Sequence, residues 1–463
     1  MTAGEIARLL DEPQLRGEVS AVELTAALLE RIEATREINA FITVTADRAL
    51  ADARRIDDAW VRGDNPGPLA GMPIALKDNI DLAGAPATAG SDWFRTRIPN
   101  ADAEVARALR AAGAVVLGKV ALHELAYGAT TVNPHFGACR NPWDLDRVPG
   151  GSSGGSGAAV AADLCLAALG TDTGGSVRIP GALNGVTGLR PSFGSISNRG
   201  VLPISPSLDT VGPLARSAAD VARVAAVIRG YDVHDPYAIE PPATAAMALE
   251  EDVRLDGVRI GIAERFFFEG IDAGVERNTR AAAEVLAGLG AQLREIDVAD
   301  AEQAMEDCST LIRAEALALH RDRLEQDPSR FGDDVRRRLE LGHLASGPDV
   351  AASLDSMRRW HARMLEVFHE VDLILTPTTP DPAPRIDEVE TISTTARLTR
   401  FCYPWSLAWL PAVSIPSGFD ERGLPTGTQL AAAPWRDGLA LRAAVGFQTV
   451  TTFHRERPPI AAG

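Results

Sequence analysis

The sequence predicts an α/β protein, because runs typical of strands and of helices alternate along the chain. From about residue 70, an apolar run at 72–76 is followed by a helical pattern at 102–112 and a second apolar run at 114–117. Gly113 lies where this helix should end, and glycine commonly terminates helices. The same alternation returns later in the chain, which extends the prediction to most of the sequence.

The other elements are predicted from the same periodicities. Two helices are expected in the first 35 residues, each opened by a capping box, Thr2 with Glu5 and Ser20 with Glu23. Apolar runs predict strands at 258–262, 292–298, 373–375, 412–415 and 428–432. Helices are expected at 273–289, at 439–449 and, as a block, between 301 and 370.

The length of the chain is compatible with one large domain. It has 463 residues, 46% hydrophobic and 24% charged, which is the composition of a globular protein. Large α/β enzymes keep this much chain around one sheet, so we expect a single domain over 1–463. Within it we expect an N-terminal helical preamble at 1–65, a catalytic core at 66–220 and a variable helical region at 255–370 that could form a lid or subdomain.

The charge of the chain disfavours polyanionic partners. The formal charge of −17 should repel nucleic acid and anionic membranes, so we expect neither as a partner. The three arginines at 336–338 are expected to form a solvated helix face. The sequence is compatible with a homodimer.

Cysteine usage and the N-terminus indicate an intracellular protein. Cys139, Cys165, Cys308 and Cys402 lie far apart, with no spacing typical of a zinc site, so we expect no disulfide framework, no metal and no cofactor. No signal-peptide pattern follows Met1 and no apolar run reaches membrane-spanning length. We therefore expect a cytoplasmic location.

Two glycine- and serine-rich stretches carry the chemistry, GGSSGGSG at 150–157 and GTDTGGS at 170–176. A flexible linker is disfavoured because the apolar runs at 158–162 and 164–169 predict a buried helix and strand between them. A phosphate-binding loop is disfavoured because no Gly-Lys-Ser/Thr follows. A nucleophile elbow at 151–155, with Ser153 as nucleophile, remains open. It would need a late histidine as base, of which the candidates are His343, His361, His369 and His454.

Taken with GMPIALKD at 71–78, these stretches resemble the amidase signature family. Further matching motifs are HELAYG at 123–128, NPWD at 141–144, GLRPS at 188–192, SLDTVGP at 207–213 and, more loosely, GLPTG at 423–427. The resemblance covers nearly the whole chain. It implies an α/β fold with a large mixed central sheet covered by helices on both faces.

The resemblance also implies a catalytic triad of Ser176, Ser152 and Lys77, in which Ser176 attacks the carbonyl and Ser152 relays its proton to Lys77. A lysine can act as a base when burial lowers its pKa, and Lys77 ends an apolar strand. In this family the peptide bond of the relay serine is cis. Hydrolysis of a C–N bond through an acyl-enzyme is the expected reaction.

The turn before Ser176 is expected to stabilise the oxyanion. The backbone N–H groups of Thr173, Gly174, Gly175 and Ser176 are the candidate donors, since glycines let the main chain approach a substrate. Three neighbouring side chains are expected to support this arrangement: Ser153, Asp172 and Arg178. A pair between Asp172 and Arg178 would hold the turn, with pairing at the surface as the alternative.

Substrate identity depends on loops that the motifs leave undefined. The candidate pocket residues are Tyr127, Ala129, Thr130 and Phe401, together with Leu311, Ile312, Cys402 and Trp405, and ordinary core packing is the alternative for each. Their character favours a small neutral or aromatic amide, carbamate or urea-like substrate, with water as the second reactant. Two other functions stay open. One is the glutaminase subunit of a tRNA-dependent amidotransferase, which residues 217–375 do not resemble, and the other is a catalytically silent binding protein.

Overall fold

Eleven strands form one sheet in a computed structural model of the protein, which describes residues 19–242 and 253–461. In chain order these strands are β1 (Phe41–Val44), β2 (Pro73–Lys77), β3 (Val115–Val120), β4 (Ala167–Asp172), β5 (Thr187–Arg190), β6 (Thr210–Ala215), β7 (Arg259–Ala263), β8 (Gln292–Ile296), β9 (Leu373–Pro377), β10 (Ala412–Phe419) and β11 (Pro425–Ala432). The capping box at Thr2 and Glu5 lies outside the described residues.

The sheet is mixed, as the resemblance implied. Its order is β1-β3-β2-β4-β6-β5-β10-β11-β9-β7-β8. Strand β2 is parallel to β3 and β4, and β7 is parallel to β8 and β9, whereas the other neighbours are antiparallel. Strands β2 to β6 are buried along their whole length, which explains why apolar and small residues predominate in them.

Helices cover both faces of this sheet. In the described residues they are α1 (Ala21–Ala34), α2 (Ala46–Arg62), α3 (Glu104–Ala111), α4 (Gly154–Ala161), α5 (Arg178–Asn184), α6 (Ala218–Ile228), α7 (Ala273–Gly288), α8 (Ala301–Gln326), α9 (Asp333–Leu341), α10 (Gly347–Glu370), α11 (Thr391–Thr399), α12 (Tyr403–Leu407) and α13 (Asp437–Val450). The fold class is therefore confirmed. None of the described helices is both long and apolar enough to cross a membrane.

Alternation along the strands separates two hydrophobic cores. Leu373 and Leu375 of β9 lie in one core with most of the N-terminal half, whereas Ile374 between them lies in the other. The second core contains Cys308 of α8 and Met357 of α10. The long helices therefore pack on one face of the sheet.

The N-terminal preamble differs from its expected character. The preamble at 1–65 is not wholly helical, because β1 pairs with β3 and forms one edge of the sheet. Strand β1 has only four residues, FITV, and they are largely half-buried at the edge of the sheet, so this short run does not stand out in the sequence. The region at 255–370 contributes β7 and β8 to the other end of the same sheet, in agreement with the strands expected at 258–262 and 292–298.

Candidate active site

The candidate site lies where two parallel strands end. Strands β2 and β4 are neighbours, with Leu76 opposite Leu169, so their carboxyl ends meet at one edge of the sheet. There the Lys77 Nζ atom donates hydrogen bonds to Ser152 Oγ at 2.7 Å and to Thr171 Oγ1 at 2.7 Å. All three side chains are buried.

The environment of Lys77 favours its neutral form. Burial lowers the pKa of Lys77 to about 7, although the negative charges of Asp209 and Asp172 oppose this change. Within the described ranges no carboxylate lies close enough to form an ion pair with the amine. Near neutral pH a large fraction of Lys77 can therefore accept a proton.

Ser152 and Ser153 connect the two glycine-rich stretches. The Gly151–Ser152 peptide bond is cis, as the resemblance implied. The Ser153 N–H donates to the Ser176 carbonyl at 3.2 Å, and the Ser153 hydroxyl donates to the Thr171 carbonyl at 3.2 Å. This hydroxyl is buried and bonded to the backbone of β4, which argues against Ser153 as the nucleophile of an elbow at 151–155.

Ser176 has a different environment from the other two serines. Ser152 and Ser153 are fully buried, whereas Ser176 is partly exposed between β4 and the short helix α5. It is therefore the serine of this group that an incoming molecule can reach.

The turn that carries Ser176 is held by Asp172. Its carboxylate accepts hydrogen bonds from the N–H groups of Gly175 at 2.8 Å and Val177 at 3.2 Å, and two from the Arg178 guanidinium at 3.0 Å each. Burial favours the neutral acid, but the Arg178 and Arg190 guanidiniums hold the pKa of Asp172 well below its usual range. The expected Asp172–Arg178 pair is formed in the interior, not at the surface.

One expected oxyanion donor needs correction. The Gly175 N–H already donates to Asp172, so it is not free to bind a substrate. The N–H groups of Thr173, Gly174 and Ser176 donate no hydrogen bond to any other residue in the described part of the chain. A Cβ atom on Gly174 would clash with the ring of Tyr403, so this close packing requires glycine.

A cavity of about 430 Å³ opens beside Tyr403. Helices α8, α9 and α11 form most of its wall, which consists of Tyr127, Met305, Glu306, Ser309, Thr310, Ile312, Arg313, Arg338, Leu341, Ile392, Thr395, Ala396, Thr399 and Tyr403. The size is typical of a small-molecule site. Of the expected pocket residues, Tyr127 and Ile312 lie on this wall.

The other expected pocket residues do not line this cavity. The Ala129 N–H donates to Thr395, and the Thr130 hydroxyl lies 3.3 Å from His123 Nδ1. Phe401 is fully buried and packs against Phe267 with ring centroids 5.4 Å apart. Leu311 and Trp405 lie in the same hydrophobic core as Phe401, and Cys402 is fully buried against Gly175. These residues therefore pack in the interior and do not line this cavity, and a role for them in substrate binding stays a prediction.

Arg338 lies in a different environment from the one that the sequence predicts. It was expected on a solvated face with Arg336 and Arg337, but only 7% of Arg338 is exposed and it lines the cavity. Arg338 lies at helical spacing from Val335 and next to Leu339, which are both apolar and buried. This pattern was the signal in the sequence that Arg338 lies on the buried face of α9. Asp334 forms an ion pair with Arg338 at 2.8 Å and also lies 2.7 Å from His123 Nε2.

The described residues contain no group of three or more histidine, cysteine or acidic side chains arranged to hold a metal ion. The four cysteines are free and buried, and burial raises the pKa of Cys139 and Cys402 to about 12. The groups gathered at the end of β2 are instead hydroxyls, the Lys77 amine and backbone N–H groups.

Residues 23–441 match the family model described as Amidase. The chain belongs to the amidase family. Among curated relatives, the A subunit of Glutamyl-tRNA(Gln) amidotransferase from Carboxydothermus hydrogenoformans is 40% identical over 474 residues, covering 96% of both chains. The expectation that residues 217–375 separate this chain from that protein is therefore wrong.

Solved structures of other proteins share the amidase fold. One comes from a study described as a vestigial protein complex that reveals the evolutionary origins of an s-triazine catabolic enzyme; it has a TM-score of 0.89 and 35% identity and covers 97% of this chain and 98% of its own. The peptide amidase of Stenotrophomonas maltophilia has a TM-score of 0.82 and 30% identity, covering 98% and 96%. Membership of the family supports hydrolytic chemistry at C–N bonds.

The buried Asp172–Arg178 pair generates a stability prediction. Arg178→Met should lower the free energy of unfolding by about 3 to 5 kcal/mol, because it leaves a buried carboxylate with one of its two guanidinium partners. Arg337→Met, at an exposed position of α9, is the matched control and should change little. Chemical denaturation of both variants measures the difference. An Arg178→Met protein as stable as the control would show that the pair does not hold the turn.

Proposed function

We propose that this amidase-family chain hydrolyses an amide-type C–N bond through an acyl-enzyme on Ser176, with Ser152 as proton relay and Lys77 as base. The observation that carries the proposal is the buried contact of 2.7 Å between Lys77 Nζ and Ser152 Oγ. A desolvated amine whose pKa is close to 7 can remove a proton from a serine at neutral pH. The Ser153–Ser176 hydrogen bond, which joins the two loops, supports the same grouping.

In the proposed reaction the Ser176 oxygen forms a bond to the substrate carbonyl carbon as its proton passes to Ser152 and the Ser152 proton passes to Lys77. The N–H groups of Thr173, Gly174 and Ser176 are the proposed donors to the oxyanion, and one such donor is typically worth about 10²- to 10³-fold in rate. The C–N bond then breaks and the leaving nitrogen recovers the proton. Water attacks the acyl group by the same relay and releases the carboxylic acid.

Ser176→Ala tests the nucleophile. The variant should lose at least about 10⁴-fold in kcat, since removal of a nucleophile usually abolishes such a relay. It should also lose labelling by a fluorophosphonate probe, which activity-based labelling and mass spectrometry would measure. Ser156→Ala is the matched control, because the Ser156 hydroxyl of α4 donates to the Leu169 carbonyl of β4 and has no proposed role. A labelled and active Ser176→Ala protein would exclude this nucleophile.

The pKa of Lys77 determines the expected pH dependence. The neutral amine is the active form, so kcat/KM should rise with pH through about 7 and then reach a plateau. Lys77→Met should lower the plateau by about 10²- to 10⁴-fold. Lys119→Arg is the control, because this other buried amine is paired with Asp78. In Lys119→Arg the acid limb of the kcat/KM profile should lie at the same pH as in the native protein. If Lys77→Met retained this limb, Lys77 would not be the base.

The residues of the cavity wall favour a small substrate that has a polar group away from the scissile bond. The Tyr127 hydroxyl is buried and has no hydrogen-bond partner among the described residues. A buried hydroxyl without a partner costs roughly 1 to 3 kcal/mol, which a substrate acceptor would offset. We therefore propose that Tyr127 donates to a carbonyl, ether or carboxylate oxygen of the substrate. Carbamates and ureas meet this requirement as well as amides do.

Tyr127→Phe separates this contact from packing. The variant keeps the ring and should lower kcat/KM by about 3- to 10-fold for amides with a distal acceptor, the usual value of one hydrogen bond. Simple aliphatic amides should be hydrolysed at the native rate. Tyr237→Phe, at an exposed position, is the matched control. Equal losses for both substrate types would show that the hydroxyl makes no substrate contact.

A second candidate function is the glutaminase activity of an amidotransferase. The observation that favours it is the identity of 39 to 41% to curated amidotransferase A subunits over 96% or more of this chain. A panel of glutamine, aryl amides, aliphatic amides, carbamates and ureas, compared by kcat/KM, distinguishes the two candidates. Efficient hydrolysis of glutamine, raised further by co-purifying subunits, would favour the amidotransferase, whereas preference for another substrate class by the isolated chain would favour a free-standing hydrolase.

A further inference from the structure

Asp209 is a buried carboxylate that the proposed relay does not use. It precedes β6 and is only 5% exposed. Its oxygens accept hydrogen bonds from Thr173 Oγ1 at 2.5 Å, from the Ile204 N–H at 2.9 Å and from the Ser205 N–H at 3.1 Å. No arginine or lysine of the described residues forms an ion pair with it, in contrast to Asp172.

These hydrogen bonds connect the oxyanion turn to the cavity wall. Thr173 belongs to the turn, and Ser205 donates its hydroxyl to Glu315 of α8 at 2.5 Å. Helix α8 supplies several residues of the cavity wall. Asp209 is thus bonded to the proposed oxyanion turn through Thr173 and connected through Ser205 to the helix that lines the cavity.

The charge of Asp209 also acts on Lys77. Among the charged groups that raise the pKa of Lys77, Asp209 has the largest effect and Asp172 the next. The charge of Asp172 is already balanced by Arg178 and Arg190. Burial raises the pKa of Asp209 itself to about 6, while its three hydrogen bonds oppose the change, so it is ionised at neutral pH.

We propose that Asp209 is a positioning residue for the hydrolysis: its carboxylate fixes Thr173 in the oxyanion turn and stabilises the protonated Lys77 that forms when Ser176 attacks. The inference rests on the proposed function. It assigns Asp209 a role through Thr173 and Lys77 and no contact with substrate. A negative charge that is preorganised in a buried site is most effective where positive charge develops during the reaction.

Other charged groups near this pair are few and already engaged. Asp172 faces Lys77 from the end of β4 and is bound by two arginines. Glu315 faces Asp209 from α8 and opposes its ionisation. Lys119 of β3 is paired with Asp78 at 3.1 Å. Removal of Asp209 should therefore leave Lys77 without a comparable negative neighbour.

The sequence allows a direct measurement of this effect, because Lys77 and Lys119 are its only two lysines. Lysine labelled with carbon-13 at Cε should give two NMR signals, and Lys119→Arg assigns them. In Asp209→Asn the titration of Lys77 should move to lower pH by about one unit, the order expected for one buried charge. The acid limb of kcat/KM should move in the same direction, and kcat should fall by about 10-fold with a smaller change in KM.

Glu315→Gln is the matched control, since it also removes one acid from this region. It should leave the Lys77 titration unchanged or move it to higher pH, because Asp209 then ionises more readily. If Asp209→Asn does not fold, as judged by circular dichroism and thermal melting, Asp209→Ser takes its place and keeps an acceptor for Thr173. A Lys77 titration that stays unchanged or rises when Asp209 is removed would overturn the proposal, even with a lower kcat. The NMR titration does not require turnover, so its result can contradict the role of Asp209 even when the Ser176→Ala test supports the proposed function.

Discussion

The site depends on a buried lysine that has no carboxylate bonded to it. The protein contains two lysines, both fully buried, and their surroundings differ in this one respect. Lys119 forms an ion pair with Asp78, whereas Lys77 donates to the hydroxyls of Ser152 and Thr171. Burial lowers the pKa of both amines, but only Lys77 lacks a directly bonded anion that would keep its proton in place. Apart from the histidines, every other basic side chain is arginine, which remains charged at any physiological pH.

The pairing of the strands and the Asp172 carboxylate together determine which groups lie next to Lys77. Parallel pairing of β2 with β4 brings Lys77 to Thr171 and to the turn that follows it. Asp172 then fixes the turn with hydrogen bonds to its backbone and to Arg178. These bonds use the Gly175 N–H and leave the N–H groups on either side of it without an acceptor in the described part of the chain. The hydrogen bonds of Asp172 therefore determine both the shape of the turn and which of its N–H groups are free.

The apolar periodicity of the sequence was sufficient for the α/β class, whereas the Lys77–Ser152 contact, between residues 75 positions apart, was implied by the resemblance to the amidase signature family. The Ser20 capping box is also present, since it needs residues only three positions apart. The failures involve partners that are distant along the chain. Arg338 is buried, forms an ion pair with Asp334 and donates hydrogen bonds to α11. A run of three arginines in the sequence does not predict these contacts. Asp209 lies within a recognised motif, yet its bond to Thr173 spans 36 residues.

The relay and the cavity come from different parts of the chain but are physically connected. The His123 N–H donates to the Ser152 carbonyl at 3.0 Å, and the His123 ring bonds to Asp334, which in turn holds Arg338 on the cavity wall. Helix α9, which lines the cavity, is therefore connected to the loop of Ser152 through His123, so we expect a change in α9 that fits a new substrate to affect the position of the proposed relay serine as well.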